Sequence, residues 1–394
     1  MTTSFHSIQC IVPPYILTKI AEEGTPAQRN WAAQTLIVSE QIRKERVEIT
    51  SVTVPTPPAE AAIADRAAVF KDRAVYDAGH GGTLPGNKVR GEGDPATNDA
   101  AVDEAYDGAG ATFDLYNQAY KRNSIDGLGL RIDSTVHYEN RYDNAFWNGN
   151  QMVYGDGDES LPENERLFNR FTISIDVIGH ELTHGVTQYT AQLTYSNQSG
   201  ALNESISDVF GSLVKQHSLG QTAAQADWLI GQGLLTANVK GVALRSMKAP
   251  GTAYDDPVLG KDPQPAAMKD YNNTTSDNGG VHINSGIPNH AFYVVATQIG
   301  GNAWEKAGQI WYDTLKGKLH SSASFADAAA LTFQTAGELY GVGSLEQQAV
   351  RTGWNEVGIS VDSAVPQPTT AGCLPALFNL LQALSKSSSN QAKH

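Results

Sequence analysis

The chain has only two cysteines in 394 residues, Cys10 and Cys373, near opposite ends. That pair excludes a disulfide framework. Positive charge is also scarce: 28 Lys and Arg stand against 42 Asp and Glu, a net charge of −14. The balance argues against nucleic acid or an acidic membrane surface as a partner. No apolar run approaches the length of a membrane span, so no transmembrane segment is expected. The opening stretch MTTSFHSIQCIVPPYIL has no basic start, no apolar run and no small-residue cleavage site. It does not read as a signal peptide. No internal repeat is found. The length allows two domains and a substantial core.

Against these absences stands VIGHELTHGV, residues 177–186. Helix positions i and i+4 share a face. His180 and His184 can therefore aim at one ion, with Glu181 beside them. This is the H-E-x-x-H pattern, in which the histidines hold zinc and the glutamate is general base. Catalytic zinc needs a third protein ligand and an open position. An extended motif would take a histidine at 190 after a glycine at 187, but both positions are threonine. The alternative is a carboxylate on a second helix. GALNESISDVFGSLV, residues 200–214, has Ile206, Val209, Phe210, Leu213 and Val214 at helical spacing. Gly200 and Asn203 read as its entry. Glu204 and Asp208 share one face of it, as a third ligand and a hydrogen-bond partner for a ligand histidine.

HELTHGVTQY and QSGALNESISD together resemble the thermolysin family of zinc metalloproteases. The likeness extends upstream through AVYDAGHGGTLPG (74–86) and YDNAFWNGNQMVYGDGD (142–158). It continues downstream through LRSM (244–247) and DNGGVHINSGIPN (277–289), covering about residues 70 to 360. The resemblance implies zinc on His180, His184 and Glu204, with Glu181 taking a proton from the attacking water. It implies Tyr195 and His282 as donors to the developing oxyanion, Asp277 as the carboxylate orienting His282, and Asp208 and Asn203 as partners of the ligand histidines. Asn144 and Ala145 match the edge strand that grips substrate backbone, and Arg245 the residue holding a substrate carbonyl. The family's pocket for the residue after the scissile bond matches Phe168, Phe171, Val177, Ile230, Leu234 and Leu244. That implies cleavage on the amino side of bulky apolar residues.

The same resemblance implies what is missing. At the family's paired calcium site Asp176 and Asp227 remain, but Lys215, Leu229 and Gln232 stand where glutamates are expected. Calcium wants six to eight oxygen ligands, so none is expected there, and Asp227 is expected to pair with Lys215. The loops YDAGHGGTLPG and LTANVKGVALR lack the acids of the other sites.

Ahead of the family-like region, TPAQRNWAAQTLIVSEQIRKER reads as an amphipathic helix with Trp31, Leu36 and Ile37 among its apolar positions. The proline-rich SVTVPTPPAEAA (51–62) reads as a linker. A small module, a linker and a protease core suggest an inhibitory propeptide, and VPPYIL is similar to the short propeptide of the protealysin group within the family. Cys10, just before it, could cap the metal as a thiolate, or could be a small apolar side chain while VPPYIL blocks the cleft sterically. After residue 360, LPALFNLLQALSK places Leu377, Leu380, Leu381 and Leu384 on one helical face, followed by a polar, serine-rich end.

The expectation is an α+β fold of two domains, β-rich over 69–190 and mostly helical over 191–360, with the zinc site in the cleft. Residues 1–50 form the propeptide, 51–68 a processing region and 361–394 an extension. The expected function is a zinc-dependent endopeptidase made as a zymogen, binding one catalytic zinc, acting on proteins and peptides and inhibited by its own propeptide. It is expected to be secreted without a cleaved signal peptide, with a cytoplasmic precursor open. The alternative is a catalytically idle binding protein on the same fold. An aminopeptidase would need an upstream motif for a free amine, and NAFW points instead to an extended chain.

Overall fold

A computed structural model describes residues 9–50 and 69–361, without the side chains of 42–50. The expected linker, residues 1–8 and, apart from Val361, the C-terminal extension lie outside the described residues. The upstream half is organised by a six-stranded sheet of order β1-β5-β6-β4-β2-β3. Its strands are β1 (Gln9–Cys10), β2 (Arg73–Asp77), β3 (Asn87–Gly91), β4 (Ile132–Val136), β5 (Ala145–Trp147) and β6 (Met152–Tyr154). The β2–β4 and β4–β6 pairs are parallel and the others antiparallel. The strand expected at the edge, β5, is therefore covered on its outer side by β1, which the chain's own N-terminus supplies.

Two helices precede the core, α1 (Pro14–Glu23) and α2 (Pro26–Thr50). In α1, Pro14 starts the helix, where its missing N–H costs nothing, and Ile16, Leu17 and Ile20 are buried. In α2 the apolar reading fails at Ile37, which is 57 % exposed. The buried positions are instead Gln28, Ala32, Thr35 and Ser39. Three of them make hydrogen bonds: Gln28 Nε2 donates to the Glu165 carbonyl at 2.8 Å, the Asp143 N–H donates to Thr35 Oγ1 at 3.2 Å, and the Ser39 and Tyr142 hydroxyls lie 2.9 Å apart. The inward face thus combines these polar contacts with Ala32, Leu36 and Val38.

Helix α3 (Ala100–Tyr120) packs on the sheet and is capped by Asp99, which accepts from Ala101 and Val102. The zinc-motif helix is α4 (Ile175–Gln188), and α5 (Asn197–Leu219) lies closely against it. A Cβ on Gly179 would sit 3.1 Å from the Gly211 Cα, and one on Gly211 would reach the Asp176 carbonyl at 2.4 Å. Only glycines at this crossing allow that approach. Helix α5 begins a turn earlier than its sequence suggests, at Asn197, and Gly200 lies inside it. A Cβ at Gly200 would collide with Val281 at 2.5 Å, so that glycine marks close packing rather than a helix entry.

Beyond α5, a two-stranded ribbon of β7 (Leu229–Ile230) and β8 (Arg245–Ser246) pairs Ile230 with Arg245. Five helices follow: α6 (Asp277–Asn284), α7 (Gly286–Ile299), α8 (Ala307–Gly317), α9 (Phe325–Tyr340) and α10 (Leu345–Glu356). Ser324 and Asp327 form a reciprocal capping box on α9. The expected architecture, a β-rich catalytic half followed by a helical one, is the one observed. Lys215 lies 2.8 Å from Asp227 and 3.1 Å from Asp176, so the expected ion pair is formed and extends to a second carboxylate.

Candidate active site

The centre of the site is buried: His180, Glu181, His184, Glu204 and Asp208 are all 0–1 % exposed. His180 Nδ1 lies 2.8 Å from Asp208 Oδ1. A carboxylate only accepts, so Nδ1 carries the proton. His184 Nδ1 lies 2.8 Å from Asn203 Oδ1 and 2.9 Å from Ser207 Oγ, while Asn203 Nδ2 donates to the Leu193 carbonyl. That donation fixes Oδ1 as the acceptor for His184. Both rings therefore turn a lone pair on Nε2 toward the same point, with the two Nε2 atoms 3.0 Å apart. The Glu204 carboxylate is 3.5 Å from each.

Facing lone pairs and a carboxylate repel one another unless a cation lies between them. Glu204 Oε2 and Glu181 Oε1 are buried with no hydrogen-bond partner, which is costly for a polar atom unless a ligand supplies one. His180, His184 and Glu204 are close enough to hold one ion. Two imidazoles and a carboxylate with an open fourth position suit catalytic zinc. The donor set fits the metal.

Glu181 is held by one oxygen, Oε2, which accepts from the Trp147 N–H at 3.0 Å. Burial pushes its carboxyl well above the ordinary range, and the negative charge of Glu204 adds to this. A cation would act in the opposite direction. Asp208 shows the converse. Burial would raise its pKa, but Arg245 and His180 overcome this and hold it well below the usual range. Arg245 donates twice to Asp208, from Nε at 2.9 Å and Nη2 at 2.8 Å. The fork leaves Nη1 facing the cleft.

His282 is positioned by an unusual helix start. Asp277, Asn278, Gly279 and Gly280 all have left-handed φ, 52°, 51°, 84° and 74°. Through that turn Asp277 accepts from the His282 N–H at 2.9 Å and lies 2.6 Å from its Nδ1. Burial would lower the His282 pKa, but Asp277 keeps it above the ordinary value. Tyr195 donates to Glu204 and lies 3.1 Å from His282 Nε2. Burial raises its phenol far above the usual range, so it remains a donor.

Residues Cys10 to Val12 run through this cleft along β5. The Ile11 N–H donates to the Ala145 carbonyl at 3.2 Å, and Arg245 Nη1 donates to the Ile11 carbonyl at 3.0 Å. Val12 is gripped at both ends by the Asn144 side chain, at 2.9 and 3.1 Å. His282 Nε2 lies 3.1 Å from the Cys10 carbonyl. The Cys10 side chain packs with Tyr138, Tyr142, Phe146 and Val153, and is not part of the His180, His184 and Glu204 group. Of the two readings of Cys10, this arrangement matches the small apolar side chain. Ile11, Phe168, Phe171, Val177, Ile230, Leu234 and Leu244 are all fully buried, within the chain's main apolar core.

These contacts bring His180, His184, Glu204, Asp208, Asn203, Arg245, Tyr195, His282 and Asp277 together, with Asn144 and Ala145 on the segment that lies against them. Two contributors were not anticipated. Ser207 lies one turn after Asn203 on the same face, a signal present in the spacing. Asn289 donates to Asp208 Oδ2 at 2.8 Å from α7, and only the packing of α7 on α5 reveals it.

Comparison with known proteins agrees with this geometry. Residues 61–188 match the family described as thermolysin metallopeptidase, catalytic domain, and residues 191–359 its alpha-helical domain. An extracellular metalloprotease of Pectobacterium carotovorum subsp. carotovorum is 50 % identical over 354 residues, covering 89 % of this chain and 96 % of that protein. Thermolysin of Alicyclobacillus acidocaldarius is 42 % identical over 295 residues, covering 72 % of this chain and 50 % of its own. Among solved structures, the precursor of protealysin from Serratia proteamaculans aligns with a TM-score of 0.78 at 51 % identity, over 89 % of this chain and 100 % of that one.

Proposed function

The chain belongs to the thermolysin metallopeptidase family and is a zinc metalloendopeptidase, and from that premise we propose that it is a zymogen inhibited by its own residues 1–50. The mature enzyme cuts on the amino side of bulky apolar residues. One observation carries this reading: Cys10 to Val12 lie antiparallel along β5 and take the hydrogen bonds of Asn144, Ala145 and Arg245. Those are the groups that would otherwise hold a substrate backbone.

His180, His184 and Glu204 would hold the zinc, oriented by Asp208 and Asn203. When bound, the ion supplies a Lewis acid that lowers the pKa of water and polarises a peptide carbonyl. Glu181 takes the proton of the attacking water and returns it to the departing amine. His282 and Tyr195 donate to the oxygen that gains charge, and Asp277 keeps His282 aimed and protonated. Phe168, Phe171, Val177, Ile230, Leu234 and Leu244 form the pocket after the scissile bond, filled in the precursor by Ile11. The catalytic parts are 69–190 and 191–360, with 51–68 as the processing region and 361–394 as an extension. Calcium is not required at the Asp176–Asp227 site, where Lys215 supplies the positive charge.

Relatives named as extracellular support secretion of this chain. Among the described residues no helix is long and apolar enough to cross a membrane.

The test is the Glu181→Gln protein. It should fold, keep as much zinc as the wild type, lose casein hydrolysis by roughly 10²–10⁴-fold or more, and persist as the full-length chain. Normal hydrolysis by this variant would overturn the mechanism.

A further inference from the structure

A second cluster of metal-binding side chains lies away from the catalytic residues and shares none of them. His137 immediately follows β4, and Asp156 follows β6 by two residues. His80 comes from the loop after β2. The loop is strapped alongside the β4 exit: the Ala78 N–H donates to the Val136 carbonyl, the His80 N–H to the His137 carbonyl, and the Glu139 N–H to the Gly81 carbonyl, at 2.9–3.1 Å. Both histidines have left-handed φ, 59° at His80 and 53° at His137. Such strain in non-glycine residues persists only where the surroundings impose it.

The His80–Asp156 spacing matches a pair of metal ligands, while His137 and Asp156 stand at hydrogen-bond distance, a contact an ion would replace by opening it a few tenths of an ångström. His80 Nδ1 lies 3.4 Å from Asp156 Oδ2, and His137 Nδ1 lies 2.9 Å from the same oxygen. Tetrahedral coordination at about 2.0–2.2 Å sets neighbouring ligand atoms roughly 3.3–3.5 Å apart. One ligand atom from each of the three residues lies within 4.8 Å of the others, and the exposed His80 ring has room to close in. The remaining ring nitrogen of His137, Nε2, lies 2.9 Å from Asp99 Oδ2. A carboxylate on the far nitrogen is the usual support of a metal-bound imidazole. Asp208 stands in that relation to His180, with the two ring nitrogens exchanged.

The rim charges do not compete. Arg170 is engaged by Glu104 and Glu159. Arg141 stacks on Trp31 at 4.1 Å and donates to Ser160 at 2.6 Å. Without a metal, the proton on His137 is the charge between Asp156 and Asp99. The cluster opens on a pocket of about 450 Å³, enough for water to complete a coordination shell.

We propose that His80, His137 and Asp156 bind a second divalent transition ion, zinc in the first instance, with Asp99 orienting His137. Two imidazoles and one carboxylate favour zinc over calcium or magnesium. The ion would staple the loop after β2 to the ends of β4 and β6.

The experiment equilibrates the full-length chain with buffered Zn²⁺ at pH 8 and counts bound metal by mass spectrometry. Three proteins are compared: wild type, His80→Asn and Asp156→Asn. Asparagine tolerates the left-handed backbone at position 80 and is nearly isosteric at 156, and catalytic zinc gives each protein an internal count of one. The expected result is two equivalents for wild type and one for each variant. A single equivalent in wild type, or two retained by either variant, would overturn the proposal.

Discussion

At the scale of single residues, charge decides more than shape. Lys215 bridges Asp176 and Asp227, with side-chain exposures of 10 %, 2 % and 31 %. One ammonium thus serves a place where a calcium pair would need several more oxygens. Melting curves with millimolar calcium and with a calcium-selective chelator should therefore coincide, and a rise of many degrees with calcium would contradict this. Lys215→Met leaves a buried carboxylate uncompensated and should cost about 3 kcal/mol. Burial works against the Lys215 charge, yet the two aspartates hold its pKa above the ordinary 10.5. Its contribution is then complete below that value and lost only as pH rises through the higher folded one. The difference in denaturation free energy between wild type and Lys215→Met should narrow as pH rises above 10.5, and narrow again toward acid pH as Asp176, already raised by burial, takes up a proton in the variant.

At the scale of elements, the proposed inhibition rests on the short strand β1 and the residue after it. Ile11 is buried and its backbone is held at both ends, while α2 docks through Gln28, Thr35 and Ser39 together with Ala32, Leu36 and Val38. The segment is thus held at the cleft by backbone hydrogen bonds, and Ile16, Leu17 and Ile20 of α1 add buried apolar contacts beside it. Burying an isoleucine is worth roughly 1.5–3 kcal/mol, so Ile11→Asp should raise the activity of the unprocessed precursor by at least tenfold. Cys10→Ser, whose side chain faces the tyrosine cluster, should leave it latent. Comparing casein hydrolysis by the two intact precursors separates them, and the reverse order would contradict the account. The same pocket predicts specificity. A peptide library cleaved by the mature enzyme should show Leu, Phe, Ile or Val after the scissile bond, and a preference for charged residues there would count against it.

At the scale of the whole molecule, much was legible because the chemistry follows helical periodicity. His180, Glu181 and His184 are fixed by one helix, and Glu204 and Asp208 by another. Tyr195, Arg245 and His282 carry no such pattern, and only their order within a family-like sequence singles them out. Other features depend on contacts between distant segments. The left-handed run at 277–280 brings Asp277 under His282, a backbone geometry that no periodicity in DNGG encodes. Nothing in Gln9 and Cys10 announces a strand, since two residues have no periodicity and their partner is β5. The exposure of Ile37 follows from partners on the core, polar and apolar, that α2 cannot encode.

The central claim is that activity waits on removal of the N-terminal segment from the cleft. Its most direct test follows intact mass and casein hydrolysis together on one sample of purified wild-type protein. Hydrolysis should rise in proportion to the fraction of chains that have lost the segment ahead of residue 69. Full activity in a sample whose mass remains that of the complete chain would contradict the account.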